Sequence, residues 1–198
     1  MRTTTRTTLR ILTILAAVAV TLSGCGAAAT PTSAPTATSG PVATPTPSLL
    51  SGPFTEADLV LDVGGVPAVL LADSAPVLAK LGKETSYSEA ASCLFVGMDK
   101  TFDYTYLQVF TIPKDKTDLL DGIYLLDDRY ATARGIRVGD TKEAVIAAYG
   151  EKEGADSLIY NVGGDPDDIS QPYVQFVIED GKVSAISYYS ASNSQGQG

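Results

Sequence analysis

Residues 135–150, GIRVGDTKEAVIAAYG, hold a helix start signal, one apolar stripe and a stop signal within a short span. Asp140 is placed to cap the free N–H groups of a first turn, and Glu143, three residues on, completes a capping-box pattern. Val145, Ile146 and Tyr149 share one side of a 3.6-residue period, and Gly150 can adopt the left-handed conformation on which helices end. A helix of about ten residues is not stable alone, so this one must lie on another element, most simply a sheet.

The pattern also occurs sixty-eight residues earlier. ADSAPVLAKLGKE (72–84) lies over DTKEAVIAAYGEK (140–152), placing Gly82 over Gly150 and Val77, Leu78 and Leu81 over Val145, Ile146 and Tyr149. Asp73 or Ser74 would cap this copy, and Pro76 is tolerated in a first turn. Further on, AASCLFVG (90–97) parallels GADSLIYN (154–161), YLQVFTI (106–112) parallels YVQFVIE (173–179), and LDGIYL (120–125) parallels VSAISY (183–188). The expected fold is α+β: tandem duplicated units, about 58–128 and 129–190, each a helix plus a three-stranded antiparallel sheet, with the helices packed on one sheet face. The run LVLDVGGVPAVLL (59–71) reads as an apolar hairpin that turns at Gly64-Gly65 and feeds the first helix.

Alternation within the strands divides their residues between two faces. Leu107, Val109 and Thr111, then Val174, Phe176 and Ile178, then Ile123 and Leu125 with Ile186 and Tyr188, form the more aliphatic set and belong under the helices. The opposite face then displays Tyr106, Gln108, Phe110, Tyr124, Tyr173, Gln175 and Tyr189. An exposed face of this composition fits protein recognition, because tyrosine offers a large contact area with a polar tip. The alternative is that loops, the 59–71 hairpin or the other unit cover it.

The first part of the chain reads differently. Arg2, Arg6 and Arg10 precede an apolar run over 11–22, which makes residues 1–24 a signal peptide too short to span a membrane comfortably. It closes on Leu22-Ser23-Gly24-Cys25, which resembles the lipobox of bacterial lipoproteins, in which the cysteine thiol receives a diacylglycerol and becomes the new N-terminus. Cys25 is therefore the expected lipidation site, and a second, N-linked acyl chain would make the anchoring stable. Residues 26–53 contain no charge and are mostly Ala, Thr, Pro, Ser and Gly, the composition of a tether that buries no core. The expected location is the extracytoplasmic side of a cell membrane, with a folded domain over 54–190 and a disordered tail at 191–198. Without the three signal arginines, eleven basic residues face twenty-three acids, a net charge of −12 against −9 for the whole chain. That balance disfavours nucleic acid as a partner.

The chain has no histidine, which removes Ser-His-Asp and Cys-His catalysis and His-ligated zinc. With Cys25 lipidated, Cys93 has no internal disulfide partner; between Ser92 and Leu94 in a predicted strand, it reads as a small buried apolar residue, with a reactive or intermolecular thiol as the alternative. Asp165, Asp167 and Asp168 crowd one turn (163–168), but Pro166 breaks the spacing of a calcium loop, so no metal site is assigned. No nucleotide-binding or nucleophile motif is present, and no cofactor is expected. An unusual carboxylate-pair hydrolase is left as the last alternative.

With Gly139-Asp140-Thr141, Val145 and Gly150 followed by VIEDGKVSAISYY (177–189), the chain resembles the SmpA/OmlA small-lipoprotein domain, and in tandem form the β-lactamase inhibitory protein family. It also resembles lipoproteins of unassigned function in Gram-positive bacteria, with T-x-x-G-I at Thr132, Gly135 and Ile136. The resemblance implies binding rather than catalysis, through a concave sheet face or as an envelope scaffold. The inhibitory proteins carry disulfides within their repeats, whereas Cys93 stands alone here, which argues against inhibition of a β-lactamase. The expected function is that of a membrane-anchored, non-catalytic lipoprotein binding an envelope or secreted protein. The second reading is a small-ligand or cation-binding module in a cleft between the repeats.

Overall fold

Strand periodicity is the dominant signal in the folded chain. The computed structural model describes residues 50–191 apart from 164, 166, 167 and 169. The signal segment, Cys25, most of the linker and positions 192–198 of the tail lie outside the described residues. A 3-10 turn (Glu56–Leu59) leads into the expected hairpin, β1 (Leu61–Val63) and β2 (Val66–Ala68), turning at Gly64-Gly65. Helix α1 (Ala75–Leu81) follows, then β3 (Ser86–Ala91), β4 (Met98–Asp103), β5 (Leu107–Lys114) and β6 (Thr117–Leu125). After α2 (Lys142–Tyr149) come β7 (Ser157–Asn161), β8 (Tyr173–Glu179) and β9 (Lys182–Tyr189).

The seven later strands form one antiparallel sheet in the order β3-β4-β5-β6-β9-β8-β7. Its inner face can be followed residue by residue across the register. One row runs Phe102, Val109, Ile123, Tyr188, Val174, Tyr160; the next runs Leu107, Leu125, Ile186, Phe176, Leu158. Val77 of α1, Val145 and Tyr149 of α2, and Leu61, Val63 and Ala68 of the hairpin complete the same buried cluster. The aliphatic strand faces assigned from alternation are thus the buried ones.

The tandem architecture is not present. Among the described residues there are two short helices, of seven and eight residues, against a two-stranded and a seven-stranded sheet, so the fold is mostly β. Four strands of the large sheet precede α2 and three follow it, so the units are unequal. The expected likeness to SmpA/OmlA-type tandem units falls with that finding. The sequence alignment fails at 90–97. AASCLFVG is not a strand equivalent to β7; it is the end of β3 plus a hairpin tip. The Ser92 Oγ accepts from the N–H groups of Leu94 and Phe95, and the Ser92 N–H donates to the Gly97 carbonyl. Gly97 sits at φ +139°, outside the range of most side chains. Cys93 is consequently exposed, not buried.

The helix signals are displaced by one residue. Thr141 caps α2, its Oγ1 accepting from the Ala144 N–H at 3.2 Å, while the Asp140 carboxylate turns back to the Arg137 N–H at 2.8 Å. Gly82 and Gly150 end the two helices at positive φ.

The T-x-x-G-I segment has a structural task. Thr132 and Ile136 are bonded through backbone and through the Thr132 hydroxyl, with Gly135 at φ +86° closing the turn. This turn sends Arg134 inward, where it is buried with Asp58 at a Nε–Oδ1 distance of 2.6 Å. The same guanidinium donates to the carbonyls of Gly52, Pro53 and Ala148. Gly52 and Pro53, assigned to the linker by composition, are thus held by the folded body.

Candidate functional site

The face of the large sheet opposite the helices has two rows of its own. The first runs Asp103, Gln108, Tyr124, Ser187, Gln175, Ile159; the second runs Thr101, Phe110, Gly122, Tyr189, Tyr173, Asn161. Six of the seven residues expected on this face are here: Gln108, Phe110, Tyr124, Tyr173, Gln175 and Tyr189. Tyr106 is not. It precedes β5 and stacks between Tyr104 and Tyr130 against the core, with the Arg129 guanidinium 3.7 Å from its ring centre.

The face is less open than the sequence suggests, because its side chains engage one another. Tyr173 and Tyr189 lie directly opposite across β8 and β9, ring centres 5.3 Å apart, and Tyr173 is buried. The Gln175 amide donates to the Ser157 hydroxyl at 2.8 Å, and the Gln108 amide donates to the Asp103 carboxylate at 2.6 Å. Gln108, Phe110, Tyr124, Gln175 and Tyr189 are half-buried. Burial first, and then the neighbouring Tyr189, hold the phenols of Tyr124 and Tyr173 above the ordinary tyrosine range. Both are neutral at physiological pH and available as hydrogen-bond donors.

Ser187 was not singled out from the sequence. It lies between Tyr124 and Gln175 in the register, is 1% exposed, and its Oγ has no hydrogen-bond partner among the described residues. A buried hydroxyl without a partner carries a desolvation cost of roughly 1–3 kcal/mol. The only hint in the sequence is that a serine interrupts the apolar alternation of ISYY.

A concavity of about 960 Å³ lies between the hairpin and the 129–137 segment, lined by Val60, Asp62, Arg129, Tyr130 and Arg137 among others. Its arginines are partly engaged: Arg137 Nη1 donates to the carbonyls of Asp128 and Arg129, and Arg129 pairs with Asp127 at 3.7 Å. No group of three or more His, Cys, Asp or Glu able to hold a metal occurs among the described residues. Of the acidic turn, Pro166 and Asp167 lie outside them; the carbonyls of Asp165 and Asp168 accept from the Asn161 amide.

No protein-family model and no curated protein matches the chain. Among solved structures, an extracellular protein containing an SCP domain from Bacillus anthracis is similar at 11% identity and a TM-score of 0.45, over 65% of this chain and 46% of that one. A cysteine-rich secretory protein from Staphylococcus aureus is similar at 10% identity and a TM-score of 0.36, over 63% of this chain and 44% of that one. The chain thus spans less than half the length of either neighbour.

Proposed function

We propose that the protein is a lipid-anchored, extracytoplasmic, non-catalytic binding module that takes an extended, weakly charged segment of an envelope or secreted protein on its outer sheet face. One observation carries this reading. The residues paired across the centre of that face, from Gln108 and Phe110 to Ile159 and Asn161, carry no charge, and Asp121, at the bulge beside Gly122, is buried with its carboxylate accepting from the Ser190 hydroxyl, in a chain with twenty-three acids and fourteen bases. Aromatic and amide side chains free of charge are what the centre of a recognition patch is made of. The unpartnered Ser187 hydroxyl gives a bound segment one fixed polar contact, once Tyr124 and Gln175 part to admit it. The anchor rests on the lipobox ending at Cys25 and on the uncharged tether that follows it.

The test is photo-crosslinking in intact cells from a reactive group at position 110, scored with and without the variants Ser187→Ala and Tyr124→Ala/Gln175→Ala/Tyr189→Ala. One dominant protein adduct is expected, lost in the triple variant. In a purified pair Ser187→Ala should weaken binding about 2- to 10-fold, the worth of one hydrogen bond, without lowering the thermal midpoint. Binding unchanged by the triple variant, in protein that melts normally, removes the face from consideration. The second reading, a small ligand in the 960 Å³ cleft, would then be favoured by a saturable rise in melting temperature sensitive to Arg137→Ala.

A further inference from the structure

The β3–β4 connection has a composition that its position does not explain. Residues 90–98, AASCLFVGM, contain no charge, and they form the end of an edge strand and a projecting tip. Val96 is 101% exposed and Leu94 49%, with Phe95 and Met98 also exposed. The tip is nonetheless ordered by its own backbone, through the Ser92 contacts described above. Gly97 presses on Pro113 of β5, where a Cβ would come within 2.7 Å of the proline Cβ. That contact sets the tip beside the β5–β6 turn, whose Lys114 and Lys116 are exposed.

Large exposed apolar clusters mark interaction sites. The shape and charge here select the partner. The tip presents three consecutive exposed apolar side chains and lies beside the exposed turn Lys114-Asp115-Lys116, in which two amines flank one carboxylate. A bilayer surface accepts such a wedge without a preformed pocket: apolar side chains enter the headgroup–acyl boundary and lysines reach the phosphates. We propose that the hairpin tip is a second, non-covalent membrane contact, with Leu94, Phe95 and Val96 inserted and Lys114 and Lys116 at the headgroups. This contact orients the domain on the membrane and depends on neither the sheet-face reading nor the lipid at Cys25.

The chain contains no tryptophan, so Phe95→Trp introduces a single reporter. The full-length variant is mixed with phosphatidylcholine–phosphatidylglycerol vesicles carrying acyl-brominated lipid. A blue shift and quenching by the bromines are expected. Leu126→Trp serves as the control: Leu126 is exposed and lies just past the far end of β6, roughly 25–30 Å away at strand rise. It should show neither effect, even if an anchor tethers the chain. Adding Val96→Asp to the Phe95→Trp protein should abolish quenching at an unchanged thermal midpoint. Equal quenching at 95 and 126, or none at 95, overturns the proposal. So does a blue shift that grows with protein concentration without vesicles, which would make the tip a self-association or protein-docking surface instead.

Discussion

At the scale of single residues, the Arg134–Asp58 pair has the largest consequences. Both side chains are almost wholly buried, and every arm of the guanidinium is used: Asp58 at 2.6 and 3.0 Å, the carbonyls of Gly52, Pro53 and Ala148, and the Tyr149 ring at 4.9 Å. Burial pushes the Asp58 carboxyl upward, but the Arg134 hydrogen bond, the Thr55 N–H and the arginine's charge outweigh it and hold the group below its ordinary value of 3.8. A depressed carboxyl contributes stability above its unfolded value and loses it as pH falls toward the folded one. Acid unfolding should therefore steepen below about pH 4, and Asp58→Asn should flatten that part of the pH–stability curve while lowering the plateau. Arg134→Ala strands a buried carboxylate, and a loss of about 3–5 kcal/mol is expected by denaturant titration. A loss under 1 kcal/mol would mean that the pair is solvated in solution.

At the scale of elements, the β3–β4 hairpin separates what the sequence discloses from what it hides. Apolar side chains at alternate positions identified β5, β6, β8 and β9 and their buried faces, because hydrophobic period and burial are the same physical fact in a strand. SCLFVG has strand composition too, but a serine hydroxyl serving two backbone N–H groups and a glycine at φ +139° bend it into a tip. Neither signal is visible in an apolar count, so the composition alone points Cys93 to a core from which it is absent. The α2 cap moved from Asp140 to Thr141 for a similar reason: both residues can cap, and the Arg137 N–H drew the carboxylate away. The sheet face was legible from alternation, except at Tyr106, where the strand had not begun, and at Ser187, whose missing partner is a property of the fold. An exposed tip predicts rapid chemistry at Cys93. In Cys25→Ser protein, a thiol reagent at neutral pH should label the native chain within a few-fold of the denatured rate. Protection by orders of magnitude would return Cys93 to the interior.

At the scale of the whole molecule, the two parts of the large sheet meet along β6 and β9 through four residue pairs, Gly122–Leu125 against Ile186–Tyr189. A seam that short could let the parts open separately, but its inner pairs, Ile123 with Tyr188 and Leu125 with Ile186, are core residues, and α2 lies over the same cluster. The tyrosines report whether this core is one unit. Burial raises the Tyr188 phenol well above 10.0, raises that of Tyr149, and pushes Tyr160 up to about 12, with the Tyr160 hydroxyl bonded to the Gly150 carbonyl at 2.8 Å. A group whose folded value is raised adds stability below its unfolded value and loses it as pH climbs toward the folded one. Stability should be flat up to about pH 10 and then fall, because only the unfolded chain can release these protons. Tyr104, between β4 and β5, is also raised by burial and belongs to the first part, whereas Tyr160 and Tyr188 belong to β7 and β9 of the second, so independent parts would ionise them in separate steps. One cooperative core requires their phenolate absorbance to rise together, at the pH where far-ultraviolet circular dichroism is lost. Two resolved absorbance steps, the first with β structure largely intact, would show that the β6–β9 seam opens before the rest.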